Sequence, residues 1–196
     1  ALLDALDIER CLLVGHSLGA IVAAAAARHG GVLARRIERL LLISPARGYG
    51  SRAAEGGRVR AQRLEALAAH GIEGMAAQRS QRLVSEHADA LARAWVHWNM
   101  ARLNDAGYRQ AIELLCGSDL LACLPPAMPV RILCGAQDVV TTPEACREVA
   151  AACEVPLELL AHAGHACYVE QPQAVGDVLR AELGAMQHPN SRRSNP

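Results

Sequence analysis

The residues best suited to do chemistry form a G-x-S-x-G pattern, Gly15-His16-Ser17-Leu18-Gly19. The pattern follows a short apolar run and opens an alanine-rich stretch, which predicts a tight turn between a buried strand and a helix. Such a turn would hold the Ser17 hydroxyl above the sheet in a strained conformation, and the two glycines would let neighbouring backbones approach closely. The Leu18 N–H, at the start of the helix, could then donate to a developing oxyanion. The alternative is a glycine-rich turn whose serine only caps the helix.

A serine hydroxyl needs a base, and two downstream segments offer a histidine and a carboxylate. Asp138 follows the apolar run 130–134 and His165 follows the run 157–160, so both are expected at the carboxyl ends of neighbouring strands. The order serine, acid, histidine predicts that His165 accepts the Ser17 proton, while Asp138 orients the imidazole and stabilises its charge. The sequence thus predicts three catalytic residues from distant segments that meet at one edge of a sheet.

Each assignment has an alternative. Asp138 could serve only as an Asx-turn before a helix cap, and His165 could be a packed surface histidine. Asp119 is another possible acid and His162 another possible base, although His162 lacks the glycine that precedes His165. His16 adjoins the serine but must point away from it, because successive side chains alternate at the end of a strand. We therefore expect His16 to line the substrate-binding pocket or to support the catalytic residues from behind, and not to act as the base.

Strand-like and helix-like segments alternate along most of the chain, which predicts an α/β fold with a mostly parallel four-stranded sheet flanked by helices. The expected strands cover 11–14, 37–43, 130–134 and 157–160. The expected core helices cover 1–8, 18–29, 142–152 and 175–186, with Thr142 as a helix cap. The core would thus comprise 1–46 and 125–186, and the polar segment 187–196 is expected to be a disordered tail.

The segment 47–124 interrupts this alternation because it contains only helical patterns, over 57–70, 72–79, 86–100 and 105–116. An all-helical insertion between two parallel strands is most simply a lid over the carboxyl ends of the strands, where the active sites of such sheets lie.

Several side chains of this insertion could contact a substrate. Trp95 and Trp98 are three residues apart on one helical face and could form a pocket wall, or could equally pack within the insertion. Arg79, Arg82 and Arg102 are possible anchors for a substrate carboxylate, and solvated surface arginine is the alternative for each.

The composition narrows the class of partner. The formal net charge is +0, so no basic field is available to attract nucleic acid or an anionic membrane, and a small-molecule substrate is expected. Seven cysteines without a C-x-x-C pair indicate free thiols in a reducing cytoplasm, with disulfides or a zinc site as the alternatives. No phosphate loop, dinucleotide fingerprint or metal-ligand spacing occurs, and we expect no cofactor and no metal.

Three blocks of the sequence resemble the signatures of the α/β-hydrolase superfamily: GHSLGA at 15–20, GAQDVVTTP at 135–143 and AGHACYVEQP at 163–172. Within it, the chain is most similar to 3-oxoadipate enol-lactonases, haloperoxidase-like esterases and meta-cleavage-product hydrolases. The resemblance implies that the four strands here are the fifth to the eighth of the family's sheet. It also implies four earlier strands and a loop that supplies a second oxyanion N–H, so we expect this sequence to be part of a longer product.

Three hypotheses about function follow. The first is a serine-dependent hydrolase of an ester or lactone that acts through an acyl-enzyme. The second is a hydrolase of carbon–carbon bonds in aromatic ring-cleavage products with the same triad. The third, from another class, is a truncated, non-catalytic chain that retains only part of the fold.

Overall fold

Four parallel strands form the centre of the molecule, in the spatial order β1-β2-β3-β4. The computed structural model describes residues 1–187. The strands are β1 (Cys11–His16), β2 (Ile37–Ile43), β3 (Val130–Gly135) and β4 (Leu157–Leu160). They are strongly apolar, as expected for a parallel sheet that is covered on both faces.

Helices cover the two faces of this sheet. The core helices are α1 (Leu2–Ala5), α2 (Leu18–Ala27), α6 (Pro143–Ala152), α7 (Cys167–Glu170) and α8 (Pro172–Gln187). One buried cluster joins α2 and α6 to one face of the sheet, and a second joins α7 and α8 to the other. Consecutive strands lie side by side, so the loops after β3 and β4 are neighbours at the same edge of the sheet.

The segment between β2 and β3 is helical, as the sequence predicts. It contains α3 (Ala53–Arg79), α4 (Ala90–Ala101) and α5 (Asp105–Gly117). Helix α3 is interrupted at Gly71, whose φ of 63° and ψ of −174° are not helical. This break is where the sequence patterns 57–70 and 72–79 predict that one helix ends and another begins. We call residues 47–124 the helical insertion.

The α/β fold class and the four parallel strands are confirmed. In the core, the boundaries that differ most from the prediction are those of α1, which is a single turn rather than a helix over 1–8, and of α8, which begins at Pro172 rather than at 175. Proline at the first helical position accounts for the earlier start of α8, because it lacks only an N–H that would have no helical partner there. In the insertion, α3 begins at Ala53 rather than at 57, and α4 begins at Ala90 rather than at 86. Thr142 caps α6 through its hydroxyl, which accepts a hydrogen bond from Ala145 N at 3.3 Å. Of the tail predicted over 187–196, Gln187 ends α8 and 188–196 lie outside the described residues.

All seven cysteines are free thiols. Four of them are buried: Cys134, Cys146, Cys153 and Cys167. Burial raises the pKa of Cys153 to about 11 and that of Cys167 to about 12, so both remain protonated thiols and behave as small apolar groups. Across residues 1–187, every helix is too short or too polar to cross a bilayer.

Candidate active site

Ser17 lies at a sharp turn between β1 and α2. Its backbone has φ 51° and ψ −119°, a left-handed conformation that costs about 1–3 kcal/mol in a residue with a side chain. The turn is held from the sheet side, because Ser17 N donates to Ile43 O at 3.0 Å. Gly15 makes the turn possible: a Cβ there would lie 2.7 Å from Ala20 Cα. Gly19 differs from the sequence expectation, because a Cβ there would meet no described atom within 4 Å.

Leu18 is the first residue of α2, so its N–H has no acceptor within the helix. No other described residue accepts a hydrogen bond from it. Leu18 and Ser17 line the same cavity. This N–H is therefore free to donate to a group bound above Ser17.

Asp138 and His165 form a buried hydrogen-bonded pair. His165 Nδ1 lies 2.8 Å from Asp138 Oδ2, and the two residues are only 3% and 2% exposed. The loops that carry them are in direct backbone contact, since a Cβ at Gly135 would lie 2.1 Å from Gly164 O. Glycine at the end of β3 is thus required for the two loops to pack this closely.

The Asp138 carboxylate is fixed through both oxygens. Oδ1 accepts from the N–H groups of Val140 at 2.7 Å and Thr141 at 2.9 Å, so the Asx-turn alternative is realised by one oxygen while the other contacts His165. Burial alone would raise the pKa of Asp138, but the hydrogen bond and charge of His165, with the two N–H donors, lower it below its usual value of 3.8. The carboxylate is therefore ionised at neutral pH.

Thr141 is a polar contact of the pair that the sequence analysis did not identify. Its hydroxyl lies 2.9 Å from Asp138 Oδ2, 3.1 Å from His165 Nδ1 and 2.9 Å from Ser44 O. It thereby ties the pair to the residue that follows β2. The only signal in the sequence was a threonine three residues after the aspartate, which is also typical of an ordinary turn.

His16 packs against His165 from the side of β1. The ring centroids are 4.7 Å apart, and His16 Nε2 lies 3.0 Å from His165 O. Burial, together with the charge of His165, lowers the pKa of His16 to about 4. His16 is therefore neutral at neutral pH, and its Nε2 carries the proton that it donates to the carbonyl. It also lines the cavity.

A cavity of about 630 Å³ lies between the sheet edge and the helical insertion. Ser17 and His165 line it from the sheet side, and Met100, Tyr108 and Ile112 line it from the insertion. Among the described residues no hydrogen bond joins the Ser17 hydroxyl to the His165 ring. Serine and histidine thus line one space, and the hydrogen bond that would join them is not formed.

Glu170 links the histidine loop to the helical insertion, and the sequence analysis did not identify it either. Its Oε1 accepts from Gly164 N at 2.7 Å and its Oε2 from Ser85 N at 2.8 Å. A backbone bond from Ala166 N to Leu83 O at 2.7 Å reinforces this junction. One carboxylate therefore holds together the loop that carries His165 and the residues that follow a 3₁₀ turn of the insertion, Ser80–Leu83.

The other residues considered from the sequence lie elsewhere. Trp95 and Trp98 contact each other edge-on at 5.4 Å, are each 49% exposed and do not line the cavity. Asp119 caps a 3₁₀ turn by accepting from Leu121 N at 3.0 Å. The exposed His162 packs its ring on that of His87.

The three arginines considered as anchors for a substrate carboxylate lie in different places. Arg79 lines the cavity, Arg82 lines an adjoining smaller one, and the Arg102 guanidinium lies over the Trp98 ring at 4.6 Å. Among residues 1–187, no three His, Cys, Asp or Glu side chains are grouped so that they could hold a metal ion.

Comparison with known proteins decides the family. The model of the alpha/beta hydrolase family matches residues 1–178. The chain belongs to the alpha/beta hydrolase family. No protein among the curated ones matches it.

Solved structures of other proteins share the fold. A hydrolase from Pseudomonas aeruginosa PA01 is 28% identical, with a TM-score of 0.73 over 94% of this chain and 68% of that one. A thermophilic esterase from Thermogutta terrifontis is 24% identical, with a TM-score of 0.77 over 93% of this chain and 68% of that one. The enol-lactonase from Burkholderia xenovorans LB400 is 22% identical, with a TM-score of 0.72 over 93% of this chain and 69% of that one. Because the esterase is only 24% identical to this α/β-hydrolase and the enol-lactonase only 22%, these two similarities indicate a shared fold and no shared activity or substrate.

Proposed function

We propose that this α/β-hydrolase cleaves a carboxylic ester or lactone with Ser17 as nucleophile, His165 as general base and Asp138 as the partner of the histidine. The observation that carries the proposal is the buried His165–Asp138 pair, whose histidine lines the same cavity as a serine at a strained strand-to-helix turn. An ionised carboxylate against Nδ1 fixes the tautomer in which Nε2 can accept a proton.

The proposed reaction has two halves. The Ser17 oxygen attacks the carbonyl carbon, its proton passes to His165 Nε2, and the carbonyl oxygen becomes an oxyanion that the Leu18 N–H stabilises. Collapse breaks the bond to the leaving oxygen, which takes the proton from His165 and leaves an acyl group on Ser17. Water then attacks the acyl group and gives its proton to His165, which returns it to Ser17 as the acid is released.

Proton transfer requires the Ser17 hydroxyl and the His165 ring to form a hydrogen bond. The two residues line one cavity, and no hydrogen bond joins their side chains among the described residues. Catalytic hydrogen bonds often tighten only in the complex with substrate, and we propose that this one does so too. We further propose that the helical insertion acts as a lid, because Met100, Tyr108 and Ile112 cover the side of the cavity opposite Ser17.

The test is a substrate panel measured on the purified protein and on matched variants. It comprises p-nitrophenyl esters of increasing chain length, an enol-lactone and a dienoate ketone that reports carbon–carbon hydrolysis. Ser17→Ala should lower kcat on the best substrate by about four orders of magnitude or more. Ser51→Ala, at an exposed serine outside the cavity, should match the wild type. Equal rates for wild type and Ser17→Ala on every substrate would refute the nucleophile, and turnover of the ketone alone would replace ester cleavage with carbon–carbon cleavage.

A further inference from the structure

Two arginines without acidic partners line the active-site cavity. Arg63 and Arg79 both belong to α3, one on each side of its break, and both line the cavity that Ser17 and His165 share. Among residues 1–187, neither guanidinium forms a salt bridge with a carboxylate. They therefore contribute positive charge that no described residue of the protein neutralises by direct contact.

The other two arginines that line the same cavity are paired with carboxylates. Arg47 forms a salt bridge with Glu148, and Arg52 with Glu55 at 2.9 Å. Glu144 also lines the cavity, but it lies on α6 and not on α3. The uncompensated charge is thus a property of the α3 side.

The surroundings of Arg79 indicate that this arrangement is unfavourable without an anion. Burial, followed by the positive charges of Arg63 and Arg82, lowers the pKa of Arg79. Within the described residues, the Arg79 guanidinium donates one hydrogen bond, to the Tyr108 hydroxyl at 3.4 Å. Most of its five N–H donors therefore have no acceptor in the described part of the protein. Arg82 adds a third cation, because it lines the adjoining cavity together with both other arginines.

We propose that Arg63 and Arg79 bind a carboxylate of the substrate, so that the protein hydrolyses esters or lactones that carry a negative charge remote from the scissile bond. The inference rests on the hydrolase activity proposed above. A guanidinium presents parallel N–H donors that match the two oxygens of a carboxylate, and a carboxylate bound in this cavity would bring an opposite charge to a site lined by two like charges. A single negative charge fits better than a double one, because Glu144 lines the same cavity.

The experiment compares two esters that differ only in the charge at the far end of the acyl chain. They are the p-nitrophenyl monoester of adipic acid and p-nitrophenyl hexanoate, each corrected for its rate without enzyme. The measured quantity is the ratio of kcat/KM for the acid ester to that for the neutral one. We expect the wild type to prefer the acid ester, and Arg79→Gln to lower the ratio by about 10- to 100-fold, the effect of one lost hydrogen-bonded ion contact.

Matched variants on the same helix separate this effect from a general loss of charge. Arg63→Gln should lower the ratio in the same direction, whereas Arg58→Gln, at an exposed arginine of α3 outside both cavities, should leave it unchanged. Arg79→Lys should retain part of the preference, because it keeps the charge but loses the fork of donors. If Arg79→Gln fails to fold by circular dichroism, two measurements decide the question: the ratio for Arg63→Gln, and competitive inhibition of the wild type by the singly charged monomethyl ester of adipic acid.

Failure of this inference is distinguishable from failure of the proposed function. A wild type that hydrolyses the neutral ester through Ser17 but shows no preference for the acid ester would overturn only the carboxylate site. Equal ratios in wild type, Arg63→Gln and Arg79→Gln would do the same. A wild type that hydrolyses neither ester better than Ser17→Ala would overturn the proposed function itself.

Discussion

Replacement of His16 by glutamine should remove much of the loss of stability that this α/β-hydrolase suffers in mild acid. The pKa of His16 is lowered from 6.5 to about 4 in the folded state, because its ring is buried against His165. Between these two values the unfolded chain binds a proton at His16 and the folded chain does not. Since the unfolded state takes up more protons, the free energy of unfolding falls as the pH falls through this range.

The magnitude follows from the width of that range. Each pKa unit corresponds to about 1.36 kcal/mol, so between about pH 7 and about pH 5 the depressed pKa of His16 should cost the fold about 2 kcal/mol. At about pH 5 most carboxylates are still ionised, so their contribution to the change is small. Glutamine has no titrating group, and its side-chain N–H can donate to His165 O in place of the imidazole.

The assay is urea unfolding followed by far-UV circular dichroism at the two pH values. The wild type should lose about 2 kcal/mol more than His16→Gln between them. His29→Gln, at an exposed histidine outside the cavity, is the control and should lose as much as the wild type. Equal losses in wild type and His16→Gln would mean that His16 is not held neutral by its surroundings, and the account of its burial against His165 would be wrong.

Three further outcomes follow from the geometry. Asp138→Asn should keep the turn made by Oδ1 but lower kcat by about 10⁴-fold, because an amide can favour the wrong tautomer of His165; ester turnover measures this, and a change below about tenfold would contradict it. Gly15→Ala should destabilise the fold by about 1–3 kcal/mol, because its Cβ would meet the backbone of α2, and an unchanged Tm would refute the close packing. Glu170→Gln should lower the free energy of unfolding by about 1.5–3 kcal/mol, because the amide group presents a donor to one of the two N–H groups that the carboxylate accepts from. A stability in urea equal to that of the wild type would show that the carboxylate does not join the histidine loop to the insertion.

The strands and the positions of the three candidate catalytic residues were predictable because they follow from local patterns. A buried parallel strand is a short apolar run, and its carboxyl end is marked by the glycine and polar residues that follow it. That property places Ser17 after β1, Asp138 after β3 and His165 after β4. The break at Gly71 was visible for the same reason, since a glycine separates two helical patterns there.

Other features depend on contacts between distant segments, which a sequence pattern does not contain. Glu170 bonds to Ser85, which is 85 residues away. Thr141 appeared only as a turn residue next to a helix cap, and its contact with Ser44 spans 97 residues. A local pattern can also suggest a contact that the fold does not form. Trp95 and Trp98 share a helical face, but that face is half exposed because no element of the described chain packs over it fully.

The central claim is that Ser17 is a nucleophile activated by the buried His165–Asp138 pair, and reaction with a fluorophosphonate probe tests it most directly. Intact-mass measurement and peptide mapping should find one adduct, on Ser17, in the wild type, and none in Ser17→Ala. His165→Ala and Asp138→Asn should form the adduct much more slowly while remaining folded. An adduct that persists in Ser17→Ala, or a folded wild type that does not react, would contradict the account.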